Sequence, residues 1–68
     1  MTFTIHDGEL KRYAVRLKSM TGQPDAETLV FAASLIAAHK AAIAKMTDKY
    51  LRHQGIETRW LAHEATEA

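Results

Sequence analysis

Cysteine is absent from the 68 residues. Its absence excludes disulfides, thiolate metal sites and a cysteine nucleophile, and it fits a reducing compartment. Proline occurs once and glycine three times. After Pro24, neither falls again before Gly55, so nothing in residues 25–54 punctuates a helix. Long apolar runs are also missing. The longest, 29–38, contains Ser34 and is followed by His39-Lys40, well short of the ~20 residues that span a bilayer. The N-terminal residues lack a basic segment followed by an apolar one, so no secretory signal is expected. The formal charge is only +1, which gives no strong global attraction to nucleic acid or membrane. These absences predict a soluble cytoplasmic chain.

Catalytic patterns are missing as well. There is no Gly-rich phosphate loop and no paired-His zinc motif; His63-Glu64 lacks the second His. The histidines are spread over positions 6, 39, 53 and 63. On one helix His39 and His53 would lie ~21 Å apart, too far to share a metal. Ser34 reads as a small residue bonding back to its own helix. The expectation is a non-enzyme with no catalytic residue, metal or cofactor.

What is present reads as helix. Leu10, Tyr13, Ala14, Leu17 and Met20 follow an i, i+3, i+4, i+7 pattern, which predicts a first helix over about 7–20, with Asp7 or Thr4 as its cap. Ahead of it, Phe3 and Ile5 alternate with Thr and Asp7-Gly8 could turn a hairpin, but the helical stripe that follows is preferred, with Phe3 and Ile5 tucked against the same core. Gly22 suits the position just past a helix end, and Pro24 the first position of the next helix. The second helix is predicted over about 24–54, ~45 Å long. Gly55 ends it, with Ile56 touching Leu51 as in a Schellman cap. A short third helix is predicted over 57–66.

Residues 29–44 are apolar on almost every side, more than a short first helix can cover. A core this small rarely supplies more than ~3–5 kcal/mol, so a second copy is the expected support. Leu29, Ile36 and Ile43, with Ala32 and His39 between them, form a heptad-like seam, assigned to a homodimer; His39 lies at its edge. The alternative is a monomeric three-helix core. Taken together, the sequence predicts an all-α domain: a helical hairpin with one long central helix and a short C-terminal helix, assembled as a dimeric bundle.

Candidate partner-binding residues are Phe31 and Leu35 on the neighbouring helix face, and Tyr50, Arg52, Arg59 and Trp60 around the Gly55 turn. Trp, Tyr and Arg are over-represented among interface hot spots; Trp60 equally suits closing a local core against Leu51 and Ile56. Lys45, Lys49 and Arg52 make a basic stripe, interrupted by Asp48. The segment Leu51-Arg52-His53-Gln54-Gly55-Ile56-Glu57-Thr58-Arg59 resembles a helix-turn-helix, with Thr58 and Arg59 facing bases or phosphates. That supplies the second reading, a small DNA-binding regulator.

One family resemblance follows from the layout. An N-terminal arm, Thr4-Ile5-His6-Asp7, precedes an Ala-rich helix over 29–45, then Gly55-Ile56-Glu57 and a small final helix. This resembles the small helical-hairpin proteins of temperate Pseudomonas phages, of the quorum-sensing anti-activator type. The resemblance implies a homodimer that binds host proteins: a LuxR-type transcription regulator and a pilus-assembly ATPase. The expected function is a small protein-binding inhibitor or adaptor that occludes a partner.

Overall fold

In Lys11–Ser19, Tyr13, Val15 and Leu17 alternate with Arg12, Arg16 and Lys18. That period of two belongs to a strand with one dry and one wet face, and the computed structural model, which describes residues 10–68, shows this strand. Three strands and one helix follow one another along the chain: β1 (Lys11–Ser19), β2 (Ala26–Ala32), α1 (Leu35–Gln54) and β3 (Trp60–Glu67). The strands form one antiparallel sheet in the order β2-β1-β3, with β1 central.

The all-α helical hairpin is therefore overturned. The first predicted helix is β1. The long central helix over 24–54 splits at Ala33-Ser34 into β2 and α1, and the third helix is β3. The proposed caps Asp7 and Thr4, and the tucking of Phe3 and Ile5, lie outside the described residues. Pro24 starts no helix; it sits in the loop before β2. The helix-turn-helix reading fails for the same reason, since a strand and not a second helix follows the Gly55 turn.

Some local signals hold. Gly55 adopts φ 69°, ψ 21°, and its N–H donates to the Leu51 carbonyl at 3.0 Å, the left-handed stop expected of a helix end. Gly22, at φ 94°, serves the β1–β2 loop instead. There the Ser19 hydroxyl accepts from the backbone N–H groups of Thr21 and Gln23, both at 3.0 Å. Met20 N–H donates to the Arg59 carbonyl at 2.8 Å, which ties this loop to the entry of β3.

The helix covers one face of the sheet. Ala38, Ala42 and Met46 form its buried stripe, and they meet Tyr13, Val15, Leu17, Val30, Ala32 and Trp60. Val15 and Leu17 are 0% exposed; burying a side chain of this size stabilises by roughly 1.5–3 kcal/mol. Alanines on α1 let the helix lie close to the strands. At its far end the Tyr50 and Trp60 rings pack with centroids 5.5 Å apart. The Trp60 indole N–H donates to the Thr58 hydroxyl at 2.7 Å, which satisfies the polar edge of a buried ring. Among the described residues, no helix is long and apolar enough to cross a membrane.

Candidate functional site

Among the described residues, no element covers the other face of the sheet. Side chains alternate along each strand, so the register fixes what this face displays. Across it run three rungs: Phe31 beside Arg12, Leu29 beside Ala14 and Thr66, and Glu27 beside Arg16 and Glu64. Lys18 lies beside Leu61. In β3, Ala62 and Glu64 oppose the adjacent residues Leu17 and Arg16, leaving His63 as an extra residue in a bulge.

This face mixes apolar and charged groups. Leu29 is 50% exposed, Phe31 66% and Leu61 54%. An antiparallel sheet covered on one side normally presents polar residues on the other. Scattered exposed leucines are ordinary, but these share a face with Ala14. The central charges are balanced: Arg16 Nη1 lies 3.3 Å from Glu64 Oε1, and Arg16 Nε 3.9 Å from Glu27 Oε2. All three side chains are solvent-exposed, so each pair contributes at most about 1 kcal/mol, but together they tie the three strands at mid-length. Among the described residues, Arg12 and Lys18 stand in no ion pair.

An open depression of about 320 Å³ lies beside this rung, lined by Arg16, Leu17, Asp25, Ala26, Glu27 and His63. Its guanidinium is already engaged by two carboxylates, so it offers no free cation to an anionic ligand. Among the described residues, no group of three or more His, Cys, Asp or Glu is placed to hold a metal ion.

The expected site residues are dispersed. The seam of Leu29, Ala32, Ile36, His39 and Ile43 is divided between β2 and α1, and so is no single stripe. Leu29 points to the open face, while Ala32 is buried under the helix. Ile36 is exposed in the first turn of α1; His39 is half-buried, and half-buried Ile43 packs against the core. Of the partner-binding set, Phe31 joins Leu29 on the open face and Leu35 is exposed at the start of α1. Tyr50 packs on Trp60, which is itself buried in the core. Arg52 pairs with Asp48 at 3.0 Å. Arg59 is exposed, with its backbone held to the β1–β2 loop.

Arg12, Arg16, Lys18 and Leu61, all on the open face, were not among the expected site residues. The signal for the three cations was the acid-free basic run 11–18, in which each of them is followed by an apolar residue or Ser19; Leu61 lies outside that run. A comparison with protein-family models returns no match, and comparisons with curated proteins and with solved structures return none either.

Proposed function

We infer that the chain is a protein-binding module, an inhibitor or adaptor, whose working surface is the open face of the sheet. The observation that carries this is the set of Leu29, Phe31 and Leu61, each at least half exposed, on the sheet face that no element among the described residues covers. Leu29 and Phe31 are neighbours on β2 and Leu61 lies across the charged rung on β3; apolar side chains gathered on one face support an interaction site. The LuxR-type regulator and the pilus-assembly ATPase are not carried forward, because both came with a helical layout that this chain does not have.

Capture of a protein from the encoding cell's lysate tests the reading. Phe31→Asp is expected to abolish capture while the circular dichroism spectrum stays unchanged, because the side chain lies outside the core. Arg52→Ala, on the outer side of the helix, is expected to capture as the unmodified protein does. Capture unaffected by Phe31→Asp, or no capture by any form, overturns the proposal.

A further inference from the structure

We propose that the open face receives one amphipathic helix of a partner protein, apolar along its docking stripe and acidic near both ends of that stripe. This rests on the reading of that face as the binding surface, and specifies what fits it.

Size comes first. Three strands spaced ~4.8 Å apart, over about seven residues of ~3.3 Å each, make a face of roughly 14 by 23 Å. That is on the order of 300 Å², against ~800 Å² per partner in a standard globular interface. A footprint of this size suits a single element rather than a globular partner. One helix, ~10–12 Å in diameter, matches the width. Its docking would complete a helix–sheet–helix sandwich, a stable layer architecture.

Charge then selects the helix. Arg12 and Lys18 lie near the two ends of β1 on this face and have no carboxylate partner among the described residues. Six residues of strand separate them by ~20 Å, which ~13 residues of helix span. Acidic residues at that separation would meet both cations. Between them, Glu27 and Glu64 flank Arg16, so the middle of the guest helix must be apolar or basic. Leu29, Phe31 and Leu61 supply its apolar contacts. The same pattern disfavours nucleic acid. A phosphate backbone carries charge at every position and cannot avoid the two central carboxylates.

The test uses two synthetic 18-residue amphipathic peptides with leucine at i, i+3, i+4 and i+7. One carries Glu at two stripe-flanking positions thirteen residues apart, and the other carries Lys there. Each is titrated into the full-length ¹⁵N-labelled protein, with a single-stranded oligonucleotide as a third probe. The Glu peptide is expected to shift the amides of Arg12, Lys18, Leu29, Phe31 and Leu61. The Lys peptide is expected to bind roughly tenfold more weakly, the ratio that ~1.4 kcal/mol of charge preference produces. The double variant Arg12→Glu/Lys18→Glu should invert that order, which shows that it is folded and that charge decides. Equal binding of both peptides at the open face would overturn the acidic-helix inference and leave the face reading standing. Shifts confined to the outer side of α1, or binding of the oligonucleotide alone, would overturn both.

Discussion

Ser34 shows how much one hydroxyl decides in a chain this short. Its backbone is extended, at φ −152° and ψ 166°, and its side chain accepts from the Ala37 N–H at 3.2 Å. It is the N-cap that ends β2 and begins α1, with no acidic residue in the first turn to assist. Ser34→Ala is expected to cost about 1 kcal/mol in urea denaturation, while Ser34→Gly costs only a few tenths. Equal losses from the two would mean that the hydroxyl is not the cap. In the sequence Ser34 reads as a residue bonding back within a continuous helix, because Ala and Leu surround it on both sides and no Gly or Pro marks the break. Gly55 was legible where Ser34 was not. A glycine just past a polar helix end has few other roles, whereas a serine among alanines has several.

The strands were hidden by features visible only once they are paired. In β1, Leu10, Tyr13, Ala14, Leu17 and Met20 satisfy a helical period, and the strand period of Tyr13, Val15 and Leu17 competes with it over the same residues. Val15, β-branched and flanked by charged and small residues, was the tie-breaking signal. In β2 both faces are apolar: Val30 and Ala32 point to the helix, Leu29 and Phe31 away from it. A strand greasy on both faces shows no alternation. In β3 the bulge at His63 shifts the alternation, so Trp60, Ala62 and Ala65 point inward out of step.

The edges of this sheet are also managed. The Ala68 N–H donates to the Arg12 carbonyl, so Arg12, and in turn Ala14 and Arg16, direct their backbone groups toward β3. Their partners Phe31, Leu29 and Glu27 then direct theirs outward from β2. The Lys45 ammonium reaches down from the helix and donates to the outward Leu29 carbonyl at 2.9 Å. An edge lysine discourages a second chain from pairing there, and on β3 the bulge has the same effect. Lys45→Met is accordingly expected to leave the unfolding midpoint nearly unchanged, since exposed substitutions fall within about 0.5 kcal/mol. Light scattering at rising concentration should then show more association by the variant than by the unmodified protein. If the variant stays monodisperse, Lys45 does not guard the edge.

At the scale of the whole molecule, alanines line the contact between the helix and the sheet. The buried stripe of α1 has Ala38 and Ala42 where larger residues would usually fill the gap, and both are fully shielded. The same alanines drew the sequence toward a helix packed on other helices. An Ala-rich stripe says that something lies close, but not whether it is a helix or a sheet, which leaves the layer architecture open until the partner strands are known. A core this small is marginal, and its stability depends on the helix–sheet distance. Ala42→Leu adds side-chain volume where there is no room, and overpacking of this kind costs typically 1–3 kcal/mol. Ala44→Leu places the same atoms on the exposed side of the same helix, where surface changes stay within about 0.5 kcal/mol. Urea unfolding followed by the fluorescence of Trp60, which is buried at the far end of this interface, reads both variants. Ala42→Leu should unfold at markedly lower denaturant and Ala44→Leu near the unmodified midpoint. Equal midpoints would mean that α1 does not lie on the sheet through its alanine stripe, and the face opposite it would then have no claim to be the open one.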